Sequence, residues 1–265
     1  MSTLLLRFAA PMQSWGCHSK FDRRLTEQEP TKSGILGLLA CAMGLQRDDS
    51  LEVFDSLRLG VRVDQAGRLG RDYQIVQEYV EKKGEQGRKQ DKKKDGKNWV
   101  TNRYYLQDAV FLVAIEGEQG FLSELQQALQ HPVFPLFLGR RSCPPSGPLT
   151  LGIREGGMVE ILRTEPWQAS EWYRKRMSNM SKRKEALQLE IVRDAVGEEQ
   201  GYSVRDVPIS FSQKRRKYGF RNVIREHIPL HEIWQERSQA ASDEPVRTEH
   251  NPMALLEEED VSVKS

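Results

Sequence analysis

Cysteine is scarce in this chain. Its three cysteines, Cys17, Cys41 and Cys143, lie far apart and form no Cys-x-x-Cys pair. That spacing excludes a disulfide framework and a zinc ribbon, so no metal or other cofactor is expected. Long apolar runs are also missing. No stretch approaches the roughly 20 residues that cross a bilayer. The first residues carry one base, Arg7, inside a strand-like run, without the basic, apolar and small-residue regions of a signal peptide. The expected location is the cytoplasm. Histidine is sparse as well: His18, His131, His227, His231 and His250 are scattered, and none neighbours a lysine. The general acid and base that histidine most often supplies have no clustered candidates.

What is present is charge. Of 265 residues, 38% are hydrophobic and 29% charged, so one large or two small soluble domains are expected. The net charge of +2 hides segregation. Eight bases (Lys82, Lys83, Arg88, Lys89, Lys92, Lys93, Lys94 and Lys97) stand against three acids in residues 82–97. Residues 174–184 and 214–225 each hold six bases and no acid. Residues 236–260 reverse the sign, with eight acids and two bases. A basic body with an acidic tail points to a polyanionic partner.

Periodicity gives a mixed α+β pattern. Residues 4–10 read as a strand and 33–44 as a helix. Residues 57–63 alternate with period two, and 72–80 read as a further strand. Residues 81–98 have no apolar period and read as a loop or a hairpin arm. Residues 101–115 return to strand, with a buried core over 109–115. Residues 119–130 form an amphipathic helix. Residues 132–148 are a Pro/Gly loop. Beyond it, 159–163, 187–193, 204–211 and 223–228 are strand candidates and 166–178 a helix. The β-α-β…β-α order fits a ferredoxin-like, RNA-recognition-motif-like domain over 1–148, with a basic hairpin insertion near 81–100. A small β-rich domain over 149–234 and a flexible acidic tail over 235–265 are expected to follow.

Four local motifs carry chemistry. Gln13-Ser14-Trp15 follows the first strand, where a turn offers backbone N–H groups and short polar side chains that suit the bases and sugar hydroxyls of an extruded nucleotide. Lys32 and Ser33 open the first helix, where free N–H groups and a cation suit a phosphate. Residues 24–30 contain no glycine, so this is not a Walker loop. Gly139 lets the backbone of Leu138-Gly139-Arg140-Arg141-Ser142 approach a ligand, and two guanidiniums can fork onto phosphates. Arg103 and Tyr104 interleave cation and aromatic as single-strand sites do, and Trp99 lies just beyond the basic arm.

The segments LLLRFAAPMQSWG (4–16), EPTKSGILGLLACAMG (29–44), NRYYLQDAVFLVAIEG (102–117) and FPLFLGRRSCPPSGP (134–148) together resemble the CasD family of the RAMP superfamily. Tyr-Gly-Phe-Arg at 218–221 is also similar, and the tail lies outside the resemblance. The resemblance implies a non-catalytic subunit of type I-E Cascade that holds the 5′ handle of CRISPR RNA in antiviral defence. It implies contacts with the CasC filament and the large subunit CasA, and indirect contact with target DNA. Residues 82–97 would be the thumb. The alternative is a metal-independent RAMP endoribonuclease that makes the handle. It would need His18 with Lys20 or Lys32, or Tyr104, as its catalytic groups.

Overall fold

The computed structural model describes residues 1–16, 22–77, 98–180 and 187–230, with the side chains of 178–180 left aside. The basic arm (82–97), His18, Lys20, His231, His250 and the acidic tail therefore lie outside the described residues.

Strand β1 (Ser2–Ala9) is almost wholly buried because Leu4, Leu6 and Phe8 enter one apolar cluster and Leu5 another. It runs through a turn into a two-residue strand, β2 (Met12–Gln13), then β3 (Arg23–Arg24) and helix α1 (Lys32–Met43). Thr31 caps α1 through its hydroxyl, which accepts from the Gly34 N–H, and Gly44 closes it at φ +82°. Strands β4 (Arg58–Gln65), β5 (Arg68–Gln77), β6 (Asn98–Gln107) and β7 (Val110–Gly117) follow. Helix α2 (Gln119–Gln130) buries Leu122, Leu125 and Leu129 at helical spacing. The chain continues through β8 (Thr150–Glu155), α3 (Met158–Thr164), α4 (Glu171–Met180), β9 (Gln188–Asp194), β10 (Tyr202–Ser210) and β11 (Lys217–Pro229).

The main sheet has the order β10-β11-β9-β4-β7-β1-β8, with antiparallel pairing throughout. Within it, β1-α1-β4 and β7-α2-β8 alternate strand and helix, and the four strands lie as β4-β7-β1-β8. A second sheet is organised around β6, which pairs with β5, β2 and β3. The single stretch expected over 101–115 is therefore two strands in different sheets, broken at Asp108, whose φ is +56°. Residues 159–163 are helical instead of extended. Met158, Ile161 and Leu162 are buried, a spacing that serves one face of a helix.

Residues 149–230 share the main sheet with the first half, and Met1–Trp234 forms one compact unit. Fully buried Arg62 of β4 secures this join. Its guanidinium forks onto Asp64 at 2.6 and 3.0 Å and also donates to the carbonyls of Leu162, Glu165 and Pro166. Every donor of that guanidinium is thereby used, which makes a buried cation tolerable. No helix among the described residues is long and apolar enough to cross a membrane.

Candidate nucleic-acid interface

The turn after β1 is built from inside. Gln13 is fully buried, and its amide donates to the carbonyls of Ala109 (2.8 Å) and Phe8 (3.3 Å) while accepting from the Trp15 indole N–H (3.2 Å). Trp15 is 1% exposed and stacks on Phe8 at 5.5 Å. Both side chains, expected at a ligand, belong to the core and hold the turn in place. Ser14 is buried too, and its hydroxyl donates to the Tyr104 carbonyl at 3.2 Å.

Against this turn lies the loop over 138–143. Ser14 N–H donates to the Leu138 carbonyl, and Leu138 N–H to that of Cys143. Gly139 sits at φ +88°, where a Cβ would meet the Ser14 carbonyl oxygen at 1.7 Å. No other residue fits there without moving one of the two segments. The close approach foreseen at Gly139 is thus between two pieces of the protein's own backbone.

That contact sets the direction of the two arginines that follow. Arg140 turns inward: it donates to the carbonyls of Tyr104 (3.1 Å), Arg24 (2.8 Å) and Leu25 (3.3 Å), and its guanidinium lies 4.7 Å from the Tyr105 ring centroid. Arg141 and Ser142 are exposed at the loop tip. By bonding Arg24, Arg140 draws β3 beside the loop. The register then places Arg24 next to Arg103 and Arg23 next to Asn102, with Arg103 opposite Asp72 on β5. Arg23, Arg24, Arg103 and Arg140 thus lie together where the second sheet meets the loop, while Arg141, next in the loop, is near enough to Cys41 of α1 for its charge to act on that thiol. Arg23 and Arg24, both exposed, were not singled out in the sequence. Their signal was only a doublet in a charged loop. The buried Nε of Arg103 and Oγ1 of Thr101, two residues apart on β6, have no hydrogen-bond partner. Tyr104 is half-buried.

The start of α1 is a different place. Lys32 was expected to bind a phosphate there, but its ammonium donates to Asp194 at 2.9 Å and to the Leu57 carbonyl at 3.3 Å. Its backbone N–H donates to Asp206 at 2.8 Å. Arg221 bridges the two acids, forking onto Asp206 at 2.7 and 2.8 Å and reaching Asp194 at 2.6 Å. Ser33 is buried, with its hydroxyl 3.3 Å from that of Thr31. The helix N-terminus has an anion, and it is the protein's own carboxylate. Burial raises the Asp194 pKa, but Lys32 and Arg221 overcome it and leave the carboxyl below its ordinary range.

Of the histidines, His131 caps the end of α2 and His227 lies on β11, in separate elements. Burial pushes the Cys41 and Cys143 thiols up, which keeps them protonated.

An α+β chain that sets an arginine cluster beside a strand-end turn offers a surface suited to a polyanion. The family described as CRISPR-associated protein (Cas_Cas5) matches residues 3–224, and the chain belongs to that family. It is 38% identical over 167 residues to the CRISPR system Cascade subunit CasD of Escherichia coli (strain K12), covering 57% of this chain and 70% of that protein. Its fold is similar to a chain of a CRISPR RNA-guided surveillance complex (TM-score 0.68, 31% identity, 86% of this chain and 92% of that one). It is also similar to a solved Cas protein (TM-score 0.64, 35% identity, 89% and 100%).

Proposed function

We propose that this chain is a non-catalytic subunit of a type I-E Cascade complex that holds the 5′ handle of a CRISPR RNA in the cytoplasm. The observation that carries this is the assembly of Arg23, Arg24, Arg103 and Arg140 beside the Ser14–Gly139 contact, with Arg141 exposed on the same loop. Family membership and the similarity to a chain of an RNA-guided surveillance complex support it. The β-α-β-β-α-β order, with strands lying as β4-β7-β1-β8, supports the ferredoxin-like reading.

In this mechanism Arg140 and Gln13 position and do not touch RNA. Arg23, Arg24 and Arg141 neutralise handle phosphates as forked donors. Arg103 Nε and Thr101 Oγ1 take acceptors on the sugar or phosphate, which satisfies two buried polar groups. Tyr104 supplies a face for an unstacked base. Phosphates give affinity, while bases and 2′-hydroxyls give preference for the handle. The CasC filament subunit and CasA are the proposed neighbours, with residues 82–97 reaching one of them. Target DNA is chosen by guide pairing in the assembled complex.

The test is incubation of the purified chain with 5′-labelled repeat RNA in EDTA. Retarded, uncut RNA, with retention lost in an Arg23→Ala/Arg24→Ala/Arg141→Ala variant, is the expected result. Specific cleavage of the repeat would establish the endoribonuclease instead.

A further inference from the structure

The β10–β11 hairpin carries charge that neither the arginine cluster nor the α1 ion network uses. Lys214, Arg215, Arg216 and Lys217 follow one another at its turn, and all four are exposed. Among the described residues none of them has an ion-pair partner, and no acid lies between Val207 and Arg225. The hairpin is the edge of the main sheet, because β10 pairs only with β11.

Charge on an edge strand has an ordinary use: it prevents pairing with another chain. That use does not account for Phe220. Phe220 is 68% exposed near the start of β11, and the Arg205 guanidinium lies 5.8 Å from its ring centroid. Arg205 is held there by its Nε, which donates to the Tyr218 carbonyl at 3.3 Å. An exposed ring does nothing to protect an edge. Beside a row of unpaired cations it is the pairing that single-strand nucleic-acid surfaces use: cations on the phosphates and an aromatic face for a base.

We propose that this hairpin is a second nucleic-acid surface, which binds single strands without regard to sequence. Lys214, Arg215, Arg216 and Lys217 hold successive phosphates, and one base stacks on the Phe220–Arg205 pair. Its elements differ from those of the arginine cluster, so it stands whether or not that cluster holds an RNA handle.

The experiment uses the full chain and a fluorescein-labelled twelve-residue oligo(dT), which carries no handle sequence. Anisotropy is followed across a salt series. Each phosphate contact to a single strand contributes about 0.7 to the log–log salt slope. Lys214→Gln/Arg215→Gln/Arg216→Gln should therefore weaken binding roughly 10-fold or more at low salt and flatten the slope by about 2. Phe220→Ala should weaken it roughly 5-fold or more, in line with the loss of one stacked base, and leave the slope unchanged. An iodouracil-substituted strand should photo-crosslink to the peptide containing Phe220. Wild-type affinity in both variants, or crosslinks confined to the 138–143 loop, would overturn the proposal and leave edge protection as the role of these charges.

Discussion

The first backbone N–H of α1, that of Lys32, donates to the carboxylate of Asp206 at 2.8 Å across 174 residues of sequence. It joins the two halves of the chain, as the β1–β8 and β4–β9 pairings also do. A free N–H at a helix start needs an acceptor, and a negative charge there also meets the positive end of the helix dipole. Asp206 satisfies both while accepting a fork from Arg221.

Asp206→Ala should therefore remove a cap and leave Lys32 and Arg221 with Asp194 as the one acid of this network. Losing one partner of a buried pair costs about 3–5 kcal/mol. Urea denaturation of the alanine variant should show a loss of that order, with a smaller loss for Asp206→Asn, which keeps an acceptor. A change of less than about 1 kcal/mol in both, the ordinary size for a surface site, would place the network outside the stability of the fold.

Asp194 makes the network pH-dependent. Its folded carboxyl lies below the ordinary aspartate value because Lys32 and Arg221 outweigh the burial that would raise it. A depressed folded value gives stability that is fully present above the unfolded pKa, near 4. That stability is lost as pH falls below that value and through the folded one. Denaturation at a series of pH values should show the decline beginning near pH 4. Asp194→Asn should be less stable at pH 7 and show a shallower decline. Parallel pH profiles for the two proteins would contradict this.

The two adjacent arginines of the 138–143 loop should separate cleanly. Arg141 is exposed, so Arg141→Ala should leave stability within about 0.5 kcal/mol and weaken RNA binding by roughly 1.5–3 kcal/mol, one charge-assisted contact. Arg140 bonds three carbonyls and covers Tyr105. Arg140→Ala should lower the melting temperature as well as RNA affinity. Equal effects on both measurements for the two variants would mean that the loop does not direct them differently.

Gly139→Ala should be more damaging than either. A Cβ 1.7 Å from the Ser14 oxygen, at φ +88°, forces the loop off the turn. Loss of RNA retention with most of the melting temperature kept is expected, because the main sheet does not pass through this contact. Wild-type RNA retention would show that the Ser14–Gly139 approach does not set the interface.

Much of the frame was legible in local pattern. Residues 4–10, the α1 region and the 109–115 and 119–130 segments have strong periods and apolar faces, and the structure places β1, α1, β7 and α2 there. The misread element was α3. Val159 and Ile161 are β-branched and suit a strand, but Met158, Ile161 and Leu162 supply the buried face of a helix. Strand β8 escaped notice because Thr150–Glu155 is half-exposed along its length and holds Gly152 at φ +98°. The site was less legible, for a different reason. Lys32 carries every local mark of a phosphate ligand, and only the remote acids Asp194 and Asp206 reveal that it is already paired. Arg23 and Arg24 join the cluster through a two-residue parallel pairing with β6, and no local signal reports such a contact.

The most direct test of the RNA-holding account is ultraviolet crosslinking of the tagged chain in its own host, with sequencing of the bound RNA ends and mapping of the crosslinked peptides. The account predicts CRISPR RNAs bound through their 5′ handles, crosslinked to peptides containing Arg23–Arg24, Tyr104 or Arg141. RNA of unrelated sequence, or handle crosslinks that avoid all of these peptides, would contradict it.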